Sequence, residues 1–369
     1  MSNQHPATNV QHPVSRNQKP ETRNQLRLVA WEITRKCNLN CVHCRAGSDR
    51  GPYPGELSTA KCMEILKEIR EVGTPIVILT GGEPLLREDV FDLAQKGTDL
   101  GLRMVMATNG TLLRPGVIEM MQGSGIKRVS ISIDGADEKQ HDDFRKVPGA
   151  YQRALRGIEM LRSAGLEFQI NTTVTRHNVG DLDKILDLSV KLGAVAHHIF
   201  LLVPTGRARD MADQEIDALE YENVLHWFYQ MRDQVPLHLK ATCAPHYYRI
   251  LRQEAHKKGE TVNFETYGLD AVTRGCLGGT SFAFISNEGV VQPCGYLELN
   301  CGDLKTATFQ SIWRDSHIFT QLRDFSGYKG KCGRCEYLRF CGGCRARAYE
   351  TTGDFLAQEP LCAYQPART

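Results

Sequence analysis

The chain has 369 residues, of which 41% are hydrophobic and 24% are charged, and its formal net charge is +2. This length accommodates two or three domains, and the balanced charge argues against a nucleic-acid or membrane-surface partner. No stretch reaches the roughly 18 apolar residues that suggest a transmembrane helix, and the N-terminus has no apolar signal sequence. We therefore expect a cytoplasmic protein, in which the 13 cysteines stay reduced and closely spaced cysteines indicate metal ligands.

Residues 1–25 are rich in Asn, Gln, Pro and His, and they predict a disordered arm. Over residues 26–240 aliphatic segments alternate with helical patterns. The predicted strands are "LRLVAWEI", "PIVILT", "LRMVMAT", "KRVSISI", "EFQINTTV" and "AHHIFLLV". The first helix, "STAKCMEILKEIREVG", is expected to begin after Ser58 and to end before Gly73. Six strand–helix units predict a parallel α/β sheet, specifically a partial (β/α)6 barrel, because a closed barrel needs eight.

Polar and glycine-rich turns follow the predicted strands, namely "RKC", "GGEP", "NGT", "DG" and "PTGR". Functional groups of parallel α/β folds lie at the carboxyl ends of the strands, so we expect the chemistry at these turns. After about residue 240, cysteine, glycine and short turns dominate the sequence. This change predicts a second, metal-dependent domain over residues 241–369, with residues 241–275 as a bridging segment.

Three cysteines follow the first predicted strand with the spacing C-x3-C-x2-C: Cys37, Cys41 and Cys44. A structural zinc site requires four ligands and disulfides require an even number of cysteines. Three thiolates on a four-iron cluster would leave one iron open, and an open coordination position marks a reactive metal centre. A zinc loop completed by His43 is the alternative, although adjacent His43 and Cys44 would not easily bind one ion together.

This spacing, on the loop after a first strand, resembles the signature of the radical S-adenosylmethionine (radical SAM) superfamily. The resemblance implies that the three cysteines hold a [4Fe–4S] cluster whose open iron binds SAM. It further implies reductive cleavage of SAM to a 5′-deoxyadenosyl radical that abstracts a substrate hydrogen. A low-potential electron donor such as ferredoxin or flavodoxin would supply the electron.

The segment "TGGEP" resembles the GGEP motif of the same superfamily. The resemblance implies that Gly81 and Gly82 let the backbone approach SAM closely, while Glu83 accepts hydrogen bonds from the SAM ammonium. It also implies ribose contacts from Ser132 and Asp134, which are expected on one face of a strand.

Two further positions are assigned to SAM binding by the resemblance. Arg145 matches an arginine near the methionine carboxylate, and Asn109 lies at a predicted strand end. Asn109 and Asn171 are the weaker candidates, because either side chain could instead satisfy the backbone of its turn.

The C-terminal cysteines resemble the SPASM extension of radical SAM enzymes, which carries two auxiliary [4Fe–4S] clusters. By analogy, one cluster has four ligands: Cys332, Cys335, Cys341 and Cys362. The other cluster would use Cys276, Cys294 and Cys344, with Cys243 preferred over Cys301 as its fourth ligand. The last cysteine gap is two residues rather than the usual three. A zinc ribbon is the alternative, although its cysteine pairs are normally more widely separated.

Longer stretches, including "LRLVAWEITRKCNLNCVHCRAG", "ATCAPHYYRILR" and "GKCGRCEYLRFCGGCRARAYETTGDF", resemble the haem b synthase family of the sirohaem-dependent haem pathway. This resemblance implies oxidative decarboxylation of two propionates of iron-coproporphyrin III to vinyl groups, giving protohaem. The sister deacetylases of didecarboxysirohaem are one alternative, but they usually have tyrosine where this chain has Arg45. Peptide-modifying SPASM enzymes are another, although only 36 residues precede Cys37. A non-catalytic iron–sulfur electron carrier would not explain the open three-cysteine site.

The implied substrate carries four carboxylates, so its site should offer cations. The arginine candidates are Arg207, Arg209, Arg345 and Arg347. His246 in "APHYY" is a candidate ligand of the porphyrin iron, with a buried structural histidine as the alternative. An auxiliary cluster is a candidate acceptor of the electron that the oxidation releases.

Overall fold

The computed structural model describes residues 25–367. The predicted disordered arm over residues 1–25 lies outside this range, apart from Gln25. The described residues form ten strands: β1 (Leu28–Thr34), β2 (Ile76–Gly81), β3 (Arg103–Thr108), β4 (Val129–Ser132), β5 (Phe168–Val174), β6 (Ala196–Leu201), β7 (His238–Thr242), β8 (Phe282–Ile285), β9 (Val290–Gln292) and β10 (Gly302–Asp303).

The described residues also form fourteen α-helices. They are α1 (Thr59–Val72), α2 (Val90–Asp99), α3 (Pro115–Gly123), α4 (Glu138–Arg145), α5 (Ala150–Ser163), α6 (Leu182–Leu192), α7 (Ala218–Met231), α8 (Tyr247–Lys257), α9 (Phe264–Tyr267), α10 (Leu269–Val272), α11 (Phe309–Asp315), α12 (His317–Arg323), α13 (Gly330–Gly333) and α14 (Arg345–Thr352). Short 3-10 helices occupy Pro84–Leu86, Val179–Asp181, Gly206–Gln214 and Phe325–Gly327.

All ten strands belong to one open sheet with the order β10-β9-β8-β1-β2-β3-β4-β5-β6-β7. Strands β1 to β7 pair in parallel in chain order, and helices connect successive strands. The predicted α/β class and partial barrel are therefore confirmed. The predicted helix α1 is also present, with the Ser58 hydroxyl accepting a hydrogen bond from the Lys61 N–H at 3.3 Å.

The structure extends the six predicted units. A seventh parallel strand, β7, follows α7, so the predicted domain boundary at residue 240 falls inside a strand. Strand β8, from the predicted second domain, pairs in parallel with β1, with Leu28 opposite Phe282. The sequence pattern also missed α4, whose segment "EKQHDDFR" is almost entirely polar, and α8, which is buried and aromatic at its start.

Alternate residues of the strands face opposite sides of the sheet. One set packs with the helices in the main hydrophobic core, for example Ile170, Ile199 and Leu239. The other set lies on what we call the inner face of the sheet. On this face the strand register places Asn171 of β5 next to His198 of β6, and His198 next to Lys240 of β7.

Candidate functional site

The three N-terminal cysteines lie together on the loop between β1 and α1, which we call the cluster loop (residues 35–50). Cys37 and Cys41 are buried in a small apolar cluster with Leu39 and Ala150, and Cys44 packs against it. The loop backbone is fixed by α4, because the Val42 N–H donates to the Phe144 carbonyl at 3.0 Å. The predicted C-x3-C-x2-C residues are thus brought to one place.

The environment of these thiols suits metal-bound thiolates. The backbone N–H of Leu39 donates to Cys37 Sγ at 3.4 Å, and Arg145 Nη1 donates to Cys41 Sγ at 3.5 Å. Burial raises the pKa of Cys37 to about 12, and the neighbouring Glu83 and thiols add to the effect. Since ionising these thiols alone is unfavourable, a bound cation would be needed to hold them as thiolates.

Arg207 and Gly206, which follow β6, hold the cluster loop from the other side. Arg207 Nε donates to the Cys41 carbonyl at 2.8 Å, and its backbone N–H donates to the Cys44 carbonyl at 3.0 Å. Gly206 has φ +56°, and a Cβ there would lie 2.0 Å from the Arg45 carbonyl oxygen. The "PTGR" turn therefore braces the loop, a role that the sequence analysis did not assign to Arg207.

The glycines of the "GGEP" turn are explained by close contact with β1. A Cβ on Gly81 would lie 2.2 Å from the Thr34 carbonyl oxygen, and one on Gly82 would lie 2.3 Å from that of Lys36. These positions admit only glycine, because the carbonyls belong to the backbone that leads into the cluster loop. The predicted close approach of these glycines to SAM stays a prediction.

Glu83 is completely buried at the carboxyl ends of β2 and β3. Its carboxylate accepts hydrogen bonds from the Thr108 hydroxyl at 2.8 Å and from the Asn109 N–H at 2.8 Å. Burial raises the pKa of Glu83 to about 7, although these hydrogen bonds oppose the shift. Asn109 continues the connection, because its Nδ2 donates to Asn38 Oδ1 in the cluster loop at 2.8 Å.

The expected strand pair of Ser132 and Asp134 is not observed, because β4 ends at Ser132. Asp134 lies beyond the strand, is fully buried, and forms an ion pair with Arg145. Its other oxygen accepts from the Thr173 N–H at 2.7 Å. Arg145 therefore connects Asp134 to Cys41, and both of the groups to which it donates belong to the protein.

The C-terminal cysteines form two separate groups. The first quartet consists of Cys243, Cys276, Cys294 and Cys344. Cys243, Cys294 and Cys344 pack in one small cluster around Leu297. Burial has the largest effect on the pKa of Cys243 and raises it, and the other three thiols of the quartet raise it further by electrostatic repulsion. Cys301 lies elsewhere, packed against the main core, so Cys243 is nearer than Cys301 to Cys294 and Cys344.

The second quartet consists of Cys332, Cys335, Cys341 and Cys362. All four line one cavity, which is also lined by His246, Arg249 and Glu359. Backbone N–H groups of Gly343 and Glu359 donate to Cys341 Sγ and Cys332 Sγ, each at 3.4 Å. Among residues 25–367, no three His, Cys, Asp or Glu side chains are close enough to share one metal ion, whereas a four-iron cluster binds each thiolate at its own iron.

The four arginines predicted to bind substrate carboxylates all have protein partners. Arg207 holds the cluster loop, and exposed Arg209 pairs with Glu350 at 3.2 Å. Arg345 is buried and donates to the Ala357 carbonyl at 2.6 Å. Arg347 is buried and donates to the Leu202 carbonyl at 2.8 Å. Arg207, Arg345 and Arg347 thus hold the cluster loop and the segments around the two quartets in place. Binding of substrate carboxylates by the four arginines stays a prediction.

Other cations occupy the inner face. Arg45 pairs with Glu32 of β1 and covers the Phe284 ring of β8, with the guanidinium carbon 4.6 Å from the ring centroid. Lys240 lies on β7, next to His198 of β6. The Nδ1 atom of His198 is in turn 2.9 Å from Nε2 of Gln169. Burial lowers the pKa of Lys240, and Asp270 opposes this effect. Lys240 and His198 were not among the predicted site residues, although Lys240 lies between two aliphatic residues of its strand, Leu239 and Ala241.

Two family models match these regions of the chain. The radical SAM superfamily model matches residues 31–189, and the iron–sulfur cluster-binding SPASM model matches residues 276–344. An AdoMet-dependent heme synthase of Nitratidesulfovibrio vulgaris is 56% identical over 342 residues, covering 93% of each chain. The chain belongs to the radical SAM superfamily. Within it, this radical SAM enzyme shares a family with that heme synthase.

More distant relatives agree with this placement. An Fe-coproporphyrin III synthase of Methanosarcina barkeri is 27% identical, covering 91% of this chain and 87% of that one. The fold resembles that of SuiB from Streptococcus suis bound to S-adenosylmethionine, with a TM-score of 0.74 at 16% identity, covering 92% of this chain and 78% of that one. The cofactors of this radical SAM enzyme are [4Fe–4S] clusters and SAM. Among its described residues, no helix is long and apolar enough to span a membrane.

Proposed function

We propose that this radical SAM enzyme is a haem b synthase that oxidatively decarboxylates two propionates of iron-coproporphyrin III. The observation that carries the proposal is the 56% identity to an AdoMet-dependent heme synthase over nearly the full length of both chains. Identity to the Fe-coproporphyrin III synthase is half as high, at 27%. That difference favours the step that consumes iron-coproporphyrin III over the step that forms it.

We propose that Cys37, Cys41 and Cys44 hold the cluster that binds SAM. Bound together, the cluster and SAM supply the radical that abstracts a hydrogen from the substrate. The thiols are already gathered, receive hydrogen bonds and are shielded by Leu39 and Ala150. The proposed SAM contacts are Gly81, Gly82, Glu83, Asn109, Ser132, Asp134 and Arg145.

We propose a second role for Asp134 and Arg145, which is to stabilise the cluster ligand Cys41. The ion pair of Asp134 with Arg145 orients the guanidinium that donates to Cys41 Sγ at 3.5 Å. A charged donor beside Cys41 favours the thiolate form of this ligand.

We propose one auxiliary [4Fe–4S] cluster for each quartet, with Cys243 as the fourth ligand of the first quartet. Cys243 has φ +56°, a conformation that non-glycine residues seldom adopt without a local reason. Placement of its side chain with the other three thiols is consistent with such a reason. We further propose that the core domain extends through β7 and that a C-terminal cluster domain follows it. A ferredoxin- or flavodoxin-like protein is the proposed electron donor.

We propose that the substrate lies against the inner face, with its carboxylates near Arg45 and Lys240. These cations are on opposite parts of the sheet, Arg45 over β1 and β8 and Lys240 on β7. The carboxylates of coproporphyrin lie around the rim of a broad, flat ring, which suits cations that are spread apart. His198 beside Lys240 adds a hydrogen-bonding group to the same surface.

The test is an anaerobic incubation of the cluster-loaded enzyme with SAM, reductant and iron-coproporphyrin III, followed by mass spectrometry. We expect successive loss of two CO2, a transient monovinyl porphyrin and one 5′-deoxyadenosine for each vinyl group. The control is the Cys37→Ala/Cys41→Ala/Cys44→Ala variant, which should form no 5′-deoxyadenosine.

Two outcomes would overturn the proposal. Removal of acetate groups from didecarboxysirohaem, with coproporphyrin unchanged, would identify a deacetylase. SAM cleavage with neither tetrapyrrole changed would favour a peptide-modifying enzyme.

A further inference from the structure

His246 is a fully buried histidine with no hydrogen-bond partner for either ring nitrogen among the described residues. It lies immediately before α8, three residues after Cys243 of the first quartet. His246 is also one of the residues that line the cavity shared by the four cysteines of the second quartet. Complete burial argues against the predicted role of His246 as a ligand of the porphyrin iron, because the ring has no exposed surface for a substrate to reach.

Buried imidazole nitrogens in proteins are almost always hydrogen-bonded, since leaving them unpaired is costly. Imidazole carries at least one N–H in either protonation state. The polar groups around His246 are already used by other partners. The Tyr221 hydroxyl donates to the Cys243 carbonyl at 3.0 Å, and Glu359 accepts from Arg347 and from the Cys344 N–H. Glu222, the other carboxylate near the ring, pairs with Arg249. The cavity that His246 shares with the second quartet offers the remaining acceptors, the four cysteine sulfurs.

We propose that His246 donates a ring N–H hydrogen bond to the sulfur atoms of the auxiliary cluster held by the second quartet, and thereby raises its reduction potential. This inference rests on the proposed cluster at Cys332, Cys335, Cys341 and Cys362. Thiolate and sulfide sulfurs of a cluster accept hydrogen bonds, and such bonds are among the features that set cluster potentials. The reduced cluster is more negative, so a donor stabilises it more than the oxidised cluster.

His246 would act through the cluster rather than on the substrate, so we regard it as a positioning residue. The Tyr221 ring holds the imidazole in an edge-on contact, with centroids 4.8 Å apart. Glu359 links the two quartets beside it, because it receives the Cys344 N–H and its own N–H donates to Cys332 Sγ. His246 would therefore raise the reduction potential of the second-quartet cluster from a position between the two quartets.

The first test replaces His246 in the full-length protein whose cluster-loop cysteines are alanine, so that only auxiliary clusters contribute signals. Redox titration monitored by electron paramagnetic resonance gives a midpoint potential for each cluster, and Cys335→Ala identifies the second-quartet signal. His246→Phe should lower that midpoint potential and leave the first-quartet potential unchanged. His246→Asn, which keeps an N–H donor, should restore part of the shift.

The second test uses the unsubstituted enzyme, labelled with 15N-histidine, so it does not depend on whether a variant folds. Pulsed electron paramagnetic resonance of the reduced second-quartet cluster should show a weak 15N coupling. No 15N coupling, or an unchanged potential in His246→Phe with full iron content, would refute the hydrogen bond. A strong coupling, or loss of about four irons in His246→Phe, would make His246 a ligand instead.

Failure of the underlying cluster proposal gives a different result. In that case the unsubstituted protein itself would lack about four irons and the Cys335→Ala variant would lose no signal.

Discussion

The guanidinium of Arg347 lies 3.2 Å from the carboxylate of Glu359, and both side chains are almost completely buried. The other Glu359 oxygen accepts from the Cys344 N–H at 2.5 Å. Arg347 also donates to the Leu202 carbonyl beyond β6 at 2.8 Å. The pair therefore joins the C-terminal segment, the first quartet and the core sheet.

Glu359→Ala would remove one of the two carboxylates that pair with buried Arg347, leaving Glu215 at 3.3 Å, and would leave the Cys344 N–H without its acceptor. We expect it to lower the free energy of unfolding by about 3 kcal/mol, the lower end of the cost of breaking a buried ion pair, seen as a lower midpoint in thermal unfolding of the cluster-loaded protein. The matched control is Arg209→Ala, which breaks the pair between the exposed Arg209 side chain and Glu350 and should cost about 0–1 kcal/mol. Equal effects of the two variants would contradict a special role for the buried pair.

Glu83 should make stability depend on pH. Its pKa rises from 4.5 to about 7 on folding, mainly through burial. The folded protein therefore holds this proton more tightly than the unfolded chain, and stability should fall as pH rises through that interval. The loss should be on the order of 3 kcal/mol. Glu83→Gln should flatten the dependence in thermal unfolding measured across the same interval, and an unaltered slope would assign the dependence to other groups.

The choice between Cys243 and Cys301 can be measured as iron content. Cys243→Ala should reduce the iron of the reconstituted protein, by up to about four atoms per chain if the cluster is lost. Cys301→Ala is the matched control, because this cysteine is partly buried like Cys243 but packs against the main core. We expect no iron loss from the control, and the reverse pattern would move the fourth ligand to Cys301.

Lys240 and Arg45 should contribute to porphyrin binding rather than to SAM cleavage. Losing a charge-assisted hydrogen bond costs about 1.5–3 kcal/mol, so Lys240→Met and Arg45→Gln should each raise the KM for iron-coproporphyrin III by roughly 10- to 100-fold. Formation of 5′-deoxyadenosine without porphyrin should persist. Lys139→Met, at a side chain that is 86% exposed, is the control. An unchanged KM in the Lys240 and Arg45 variants would place the carboxylates elsewhere.

Local sequence patterns predicted the repeating strand–helix units of the core. The strands from β1 to β6 and helix α1 were predictable because their apolar spacing and end signals agree with their final structure. The C-x3-C-x2-C spacing also located the cluster loop at a strand end. In these segments the local sequence was sufficient to predict which secondary-structure element forms.

Long-range partners were harder to infer from sequence. Arginines near cysteines indicated substrate cations, but Arg345 and Arg347 are needed to satisfy backbone carbonyls and Glu359. Asp134 was expected in a strand, yet β4 ends earlier and the carboxylate pairs with Arg145 from α4. The pairing of β8 with β1 joins residues about 250 positions apart, and no local pattern encodes such a contact.

The β1–β8 pairing also limits how the chain can be divided. β1 carries the cluster loop at its carboxyl end, and its other edge is hydrogen-bonded to β8 from the C-terminal part of the chain. A fragment ending before β8 would expose the backbone of β1 as an unpaired, aliphatic sheet edge, which is a template for aggregation. Chimeras that exchange C-terminal parts between relatives would need to carry a matching β1 with them, since the two strands form one structural unit despite their separation in sequence.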